Sequence, residues 1–257
     1  MNRDPFKIDS PACISFSGGR SSAYMLWRVL QSNGGELPAG SVAVFANTGK
    51  EDEGTLRFVR DCGRYWDIDI QWIEYCAVNK FKKTIFELAS RKGEPFAALI
   101  EKKQFLPNAV MRFCTSDLKI KPIAALLESV GASDVDMLVG IRADEPRRIA
   151  KMGHLHLPLA IAGVAKADVL AFWAKQPFDL DTVAGNCDLC FNKGLPEIMS
   201  LIRHAPARAT WWAAQEEKIG ARFAKDRPTY VQMKNYSEEQ RELFGYGQEA
   251  VSCFCGD

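Results

Sequence analysis

A short apolar segment over residues 12–16 ends in Ser17-Gly18-Gly19 and is followed by apolar residues at helical spacing over residues 21–30. This order predicts a buried strand, a tight glycine turn and a helix. It restricts the fold more than any other pattern in the chain, because a strand that passes directly into a helix is the repeating unit of α/β sheets.

The same alternation continues along the first part of the chain. Strands are predicted over residues 42–46, 68–74 and 135–141, and helices over residues 54–66 and 120–130. A helix between successive strands returns the chain to the same sheet edge, so the strands run parallel. We therefore predict an α/β fold with a doubly wound parallel sheet.

From about residue 151 the pattern changes to an irregular stretch and short helices, predicted over residues 166–174, 195–203 and 209–219. We predict an α/β domain over residues 1–150 and a mainly helical C-terminal region over residues 151–257 that packs on the sheet. A single domain over the whole chain is the alternative, because no linker of Gly or Ser separates the two parts.

Composition excludes several classes of protein. The chain is 47% hydrophobic and 25% charged, which is the balance of a globular protein and excludes disorder. Its formal net charge of +1 provides no general attraction for polyanions, so a nucleic-acid acceptor would need a local basic patch. We see no signal-peptide core and no membrane-spanning run, so we expect a cytoplasmic protein without a membrane partner.

The glycine turn is a candidate anion site. Glycines between a strand and a helix allow backbone N–H groups to approach an anion beside the positive end of the helix. The hydroxyls of Ser17, Ser21 and Ser22 would add donors. An ordinary glycine turn is the alternative for this loop, whose residues are Ser17, Gly18, Gly19, Arg20, Ser21 and Ser22.

Five segments in order resemble the PP-loop ATP pyrophosphatase superfamily and, within it, the phosphoadenylyl-sulfate (PAPS) reductase branch. They are Ser17-Gly18-Gly19-x-x-Ser22, Asn47-Thr48-Gly49, Arg112-Phe113-Cys114-Thr115 followed by Lys119, Gly140-Ile141-Arg142-Ala143-Asp144-Glu145, and Cys187-Asp188-Leu189-Cys190. The resemblance covers about residues 12–195 and implies an adenine nucleotide alpha-hydrolase-like fold with a PP-loop nucleotide-binding domain.

The resemblance also implies residue roles. The serines and glycines of the first segment would hold phosphates, and Asn47, Thr48 and Gly49 would line the adenosine side. Arg142, with Arg147 or Arg148, would neutralise phosphate or sulfate, since a guanidinium binds an oxyanion through two donors. For Arg147 and Arg148 an exposed surface pair is the alternative.

The cysteine pattern resembles that of the iron-sulfur members of this branch. The resemblance implies that Cys114, Cys187 and Cys190 are ligands of a [4Fe-4S] cluster, where Thr115 replaces a further cysteine of the pattern. Cys253 is our candidate for a fourth ligand, Cys255 is another, and a cluster with three ligands is the third option. Zinc or no metal at all also remains open.

The family implies that the chain binds ATP and splits it into AMP and pyrophosphate for sulfur transfer, and that the [4Fe-4S] cluster assists the delivery of sulfur. Backbone amides, Arg142 and Lys119 would stabilise the anionic centre, and Mg²⁺ would bridge the phosphates. Glu51, Asp52 and Glu53 are candidate Mg²⁺ ligands, although an acidic first turn of the next helix explains them better.

Two other functions remain open. A thiol-dependent reductase of adenylyl sulfate or PAPS would release sulfite after attack by Cys255 on the sulfur. A nucleotide- and cluster-binding module would catalyse no reaction.

The expected partners are an adenine nucleotide, a sulfur or electron donor protein and a second copy of the chain. A nucleic-acid acceptor is a further expected partner if lysine clusters such as Lys80, Lys82 and Lys83 converge in the fold.

Overall fold

The computed structural model describes residues 3–182 and 187–243. Within them, one sheet contains β1 (Ala12–Ser15), β2 (Val42–Asn47), β3 (Ile70–Cys76), β4 (Lys80–Thr84) and β5 (Asp136–Val139), in the order β4-β3-β2-β1-β5. β1 runs parallel to β2 and β5, and β2 runs parallel to β3. The prediction of an α/β fold is therefore confirmed, and the sheet is mostly parallel. The antiparallel edge strand β4 was not predicted.

Helices connect and follow these strands. They are α1 (Arg20–Ser32), α2 (Glu53–Tyr65), α3 (Glu94–Lys103), α4 (Phe113–Thr115), a π-helical turn (Ser116–Ile120), α5 (Lys121–Ser129), α6 (Pro146–Met152), α7 (Pro158–Ile161), α8 (Lys166–Trp173), α9 (Leu195–His204), α10 (Arg208–Ile219) and α11 (Tyr230–Leu243). Among the described residues, none of these helices has the length and apolar character needed to cross a bilayer.

The sheet carries an apolar core on each face, because successive side chains of a strand point to opposite sides. Ile14 and Phe45 pack in one cluster with residues of α1 and α2. Their neighbours Cys13 and Val44 pack in a second cluster with residues of α5. Helices therefore cover both faces, as expected for a doubly wound sheet.

The chain divides into two compact units. The first consists of Met1–Lys102 and Phe113–Asp188, and the second of Lys103–Arg112 and Leu189–Asp257. This division differs from the predicted boundary at residue 150. Trp173 and Leu180 belong to the core beside the sheet, and the ring of Trp173 lies 4.8 Å from that of Phe58 on α2. Their burial holds residues 151–182 to the first unit.

Helices α9, α10 and α11 lie in the second unit, and the first two occupy the predicted positions. Trp212 stacks on Tyr230 with ring centroids 5.3 Å apart. The buried carboxylate of Glu216 accepts hydrogen bonds from the backbone N–H groups of Phe223 (3.1 Å) and Tyr230 (2.8 Å). This carboxylate thereby joins α10 to the start of α11.

Candidate functional site

The carboxyl ends of β1 and β5 lie side by side in the first unit, where Ser15 pairs with Val139. From β1 the sheet continues on one side through β2 and β3 and on the other side to β5. Ligands of open α/β sheets bind at such a point, outside the carboxyl ends of the strands. The residues that follow β1, β2 and β5 are therefore the first candidates for a site.

The loop after β1 contains a glycine that no other residue can easily replace. Gly18 has φ +76°, and a Cβ atom on it would lie 2.7 Å from Cγ2 of Thr55 on α2. Gly19 has an extended backbone and is the N-cap of α1, with no side-chain cap hydrogen bond. The first turn of α1 thus presents backbone N–H groups that no capping side chain satisfies, as an anion site requires.

Serine hydroxyls hold this loop together. Ser22 Oγ donates to the carbonyl of Gly19 at 2.9 Å and accepts from the backbone N–H of Ser17 at 3.2 Å. Ser17 Oγ lies 2.9 Å from Ser22 Oγ. Ser22 is buried and Ser17 is exposed. Ser22 therefore has a structural role in closing the loop, and its role in phosphate binding stays a prediction.

Arg142 follows β5 and reaches the start of α1. Its Nη1 donates to Ser21 Oγ at 3.0 Å, and its Nε donates to Asp144 at 2.8 Å. The approach is close, because a Cβ on Gly140 would lie 2.8 Å from Cα of Ser22. The structure therefore brings together Arg142 and Ser21 of the glycine loop, which are 121 residues apart in sequence.

The other predicted arginines lie in different surroundings. Arg20 donates from Nε and Nη2 to the carboxylate of Asp179, both at 2.7 Å, and also contacts the carbonyl of Leu180. Arg148 pairs with Glu145 at 2.6 Å and is 58% exposed. Arg147 is exposed on α6. Arg20 therefore anchors residues 179–180, and Arg142 is the arginine that contacts the first turn of α1.

The turn after β2 is shaped by Asn47. Its Nδ2 donates to Glu74 Oε1 at 2.7 Å and to the carbonyl of Ser90 at 2.9 Å, and its Oδ1 accepts from the N–H of Gly49 at 3.0 Å. Gly49 has φ +77°, and a Cβ there would lie 2.8 Å from Pro95. The side chain of Asn47 is fully buried and engaged in these contacts.

Thr48, Glu51 and Lys119 form a second group beside this turn. Glu51 Oε1 accepts from Thr48 Oγ1 and from Lys119 Nζ, each at 3.1 Å. Thr48 Oγ1 also lies 3.5 Å from the sulfur of Cys187. Glu51 Oε2 is buried and has no hydrogen-bond partner within the described part of the chain.

Lys119 is the cation of this group. Burial lowers its pKa, but the charges of Glu51, Cys187 and Cys114 outweigh burial, so its pKa lies above the ordinary lysine value of 10.5. The side chain is 25% exposed. A protonated lysine thus stands near two cysteine thiols that the sequence singled out.

Cys187 is fixed by the segment after β2. Residues Glu51 and Cys187 form an antiparallel bridge, and the N–H of Asp188 donates to the carbonyl of Lys50 at 2.7 Å. Lys50 Nζ and Asp188 form an ion pair at 2.9 Å in which both side chains are more than 90% buried. The first cysteine of the Cys-x-x-Cys pair is thereby held against the turn that follows β2.

The predicted metal ligands are only partly placed by the structure. Cys114 and Cys187 belong to the first unit and Cys190 to the second. Cys253 and Cys255 lie outside the described residues. Over residues 3–182 and 187–243, no group of three or more His, Cys, Asp or Glu residues is arranged to hold a metal ion.

The acidic residues considered for Mg²⁺ have protein partners. Glu51 pairs with Lys119. Asp52 is the N-cap of α2 and accepts from the N–H of Gly54 at 3.0 Å. Glu53 pairs with Arg91 at 2.7 Å. The interpretation of this stretch as the start of a helix is confirmed for Asp52 and Glu53.

Comparison with known proteins places the chain in a family. No family model matches it. The uncharacterized nin region protein ORF290 of Escherichia phage lambda is 33% identical over an alignment of 199 residues, and the match covers 72% of this chain and 67% of that protein. The chain belongs to the family of this phage protein. The uncharacterized protein MJ0066 of Methanocaldococcus jannaschii is 29% identical over 150 residues, which are 58% of this chain and 26% of that longer protein.

In this member of the ORF290 family, sequence reasoning missed Glu74, Lys50 and Asp188. Glu74 is a charged residue at the end of a predicted alternating strand, and a carboxylate that is buried there needs a partner. Lys50 lies three residues after the end of β2, and Asp188 lies inside the Cys-x-x-Cys pair. The pairing of Lys50 with Asp188 could not be predicted, because it joins segments that are distant in sequence.

Proposed function

We propose that the chain binds an adenine nucleotide in an adenine nucleotide alpha-hydrolase-like fold and splits ATP into AMP and pyrophosphate for sulfur transfer. One observation carries the proposal. The first turn of α1 has no side-chain cap, and Arg142 contacts it through Ser21. This turn follows β1, which lies between β2 and β5 in the sheet. This arrangement suits a phosphate chain.

The residues have separate tasks in this proposal. Backbone N–H groups after Gly18 bind the β- and γ-phosphates, and Arg142 neutralises charge that develops at the α-phosphate. An oxygen of the acceptor bonds to the α-phosphorus while the bond from that phosphorus to the departing pyrophosphate breaks. A sulfur nucleophile from a donor protein then displaces AMP from the acceptor. Mg²⁺ would supply charge neutralisation between phosphate oxygens.

The group formed by Thr48, Glu51, Lys119 and Cys187 includes Thr48 of the proposed adenosine-side turn. Negative charge at Glu51, Cys187 and Cys114 raises the pKa of Lys119. An ammonium beside these sulfurs suits either thiol chemistry or metal ligation. A cluster held by Cys114, Cys187, Cys190 and Cys253 would assist the delivery of sulfur.

The reaction is tested with ATP labelled at the α-phosphate, Mg²⁺, sulfide as the sulfur nucleophile and an RNA or DNA acceptor. We expect labelled AMP and an equal amount of pyrophosphate. Absence of both products with every acceptor would contradict ATP cleavage. Release of sulfite from adenylyl sulfate, lost in Cys255→Ser, would support the reductase instead. Nucleotide binding without any turnover would support a binding module.

The same assay includes a matched pair of arginine variants. Arg142→Ala is expected to weaken ATP binding about tenfold to a hundredfold, because it removes a charged hydrogen-bond donor from a phosphate. Arg57→Ala is the control, since Arg57 is 45% exposed and pairs with Asp181, which is 90% exposed. Calorimetry of ATP binding measures both, and equal affinities of Arg142→Ala and wild type would exclude Arg142 from the site.

The metal prediction is tested separately by anaerobic purification and analysis of iron, sulfide and zinc. The ligand set Cys114, Cys187, Cys190 and Cys253 predicts about four iron and four sulfide per chain, lost in Cys187→Ala. Cys13→Ala is the control, because burial raises the pKa of the Cys13 thiol to about 12 and this residue lies in the core. Stoichiometric zinc would replace the cluster with a structural zinc site, and absence of metal would contradict both.

A further inference from the structure

Glu74, near the end of β3, carries a carboxylate that is completely buried. Oε1 accepts hydrogen bonds from Asn47 Nδ2 at 2.7 Å and from the N–H of Ser90 at 2.6 Å. Oε2 accepts from Ser90 Oγ at 2.8 Å and pairs with Lys82 Nζ at 2.9 Å. A buried carboxylate is tolerated only when its oxygens are satisfied in this way, so the surroundings are built for a group that only accepts.

The contacts of Glu74 lead directly to the turn after β2. Asn47, its partner on the neighbouring strand, accepts from the N–H of Gly49. The carbonyl of Gly49 accepts from the N–H of Gly93 at 2.9 Å. The same turn has a left-handed residue at Gly49, a conformation that glycine adopts without steric cost. Asn47, which is itself held by Glu74, supports the turn by fixing the backbone N–H of Gly49.

We propose that Glu74 is a positioning residue that holds, through Asn47, the Thr48-Gly49 turn in the shape that receives the adenosine part of the nucleotide. Asn47 then acts by shaping the backbone and does not touch the nucleotide. This inference rests on the proposed nucleotide site and changes the role that the family resemblance implies for Asn47. The donors of Asn47 are already used by Glu74 and Ser90.

The arrangement requires an oxygen acceptor at position 74. Glutamine could keep its oxygen toward Asn47 and the N–H of Ser90, whereas methionine has a similar size and no oxygen. In Glu74→Met, both Asn47 Nδ2 and the N–H of Ser90 lose their acceptor. The turn would then lose its support while the glycine loop after β1, which Glu74 does not contact through any of these bonds, keeps its own.

Separate ligands distinguish a local effect from general damage. We expect Glu74→Met to weaken AMP binding about tenfold or more, and to leave pyrophosphate binding within about twofold of wild type, because pyrophosphate occupies only the phosphate loop. A merely structural loss would weaken both ligands together and would overturn the inference. Glu128→Met is the control, since Glu128 is 69% exposed and pairs with Lys80 at 3.5 Å.

An exchange of partners tests whether Asn47 touches the nucleotide. Asn47→Asp alone would place two carboxylates together and weaken AMP binding. Adding Glu74→Gln restores an amide-to-carboxylate hydrogen bond with the roles reversed, so we expect the double variant to bind AMP more tightly than Asn47→Asp. If Asn47 contacts the nucleotide directly, the second substitution will not restore affinity and the inference is wrong.

Amide hydrogen exchange of Gly49 provides a readout without nucleotide. The N–H of Gly49 is bonded to Asn47 Oδ1, so exchange measured by NMR should be slow in the wild type and at least about tenfold faster in Glu74→Met. Unchanged exchange would overturn the inference even if nucleotide binding falls. Failure of the wild type to bind AMP, ATP or pyrophosphate would refute the proposed nucleotide site, and with it the role in adenosine binding, whatever the exchange shows.

Discussion

Replacing Gly18 with alanine is expected to lower the free energy of unfolding by about 3 kcal/mol and to abolish nucleotide binding. A non-glycine residue at φ +76° costs about 1 kcal/mol. The new Cβ would also lie 2.7 Å from Thr55 and 3.1 Å from both Phe45 and Val59. Overpacking of such a contact adds about 2 kcal/mol. Relief of the clash requires the loop to move away from α2, which displaces the proposed phosphate-binding amides.

Gly19→Ala is the matched control for this prediction. Gly19 has an extended backbone, and a Cβ there would contact only Ser17 Oγ, at 3.7 Å, which is an ordinary distance. Urea unfolding should therefore give a value within about 1 kcal/mol of the wild type. If Gly18→Ala and Gly19→Ala have the same stability and the same affinity for ATP, the close packing of the loop on α2 has no functional importance.

The elements of the first unit could be predicted largely from local pattern. The sequence predicted a strand over residues 12–16 and a helix over residues 54–66, and the structure has Ala12–Ser15 and Glu53–Tyr65. Strand β4 was missed because its sequence, Lys-Phe-Lys-Lys-Thr, places a single large apolar residue on an exposed edge. Helix α11 was missed because its buried positions, Tyr230, Met233 and Ser237, include a polar residue that hides the helical period.

The candidate site could be predicted only where a short motif carries it. The glycine loop and Arg142 were found because strand ends and glycines are visible in sequence, and parallel strands bring such ends together. The partners of Arg20, Asn47 and Glu51 were not, because each is set by residues brought near only by folding. Arg20 is an example, because it lies inside the loop motif and was predicted to bind the nucleotide. In the structure its guanidinium instead donates to the carboxylate of Asp179.

Substitution of Lys119 by methionine is expected to destabilise the chain by about 3 kcal/mol. The change leaves the carboxylate of Glu51 buried, with Thr48 as the remaining hydrogen-bond donor to Oε1. Breaking one side of a buried ion pair has this cost because the remaining charge is uncompensated. Urea unfolding measures the effect. Lys80→Met is the control, because Lys80 and Glu128 are 70% and 69% exposed and their pair contributes less than about 1 kcal/mol.

A double variant separates the lost charge from lost packing. Glu51→Gln with Lys119→Met removes both charges but keeps an oxygen that accepts from Thr48, so most of the stability should return. If the double variant is as unstable as Lys119→Met, the aliphatic packing of Lys119 and not its charge holds Glu51, Thr48 and Cys187 together.

The raised pKa of Lys119 also makes the stability of the chain depend on pH. The ion pair stabilises the folded state fully below pH 10.5, the ordinary lysine value. Its contribution to the free energy of unfolding falls as the pH rises through the higher pKa of the folded state.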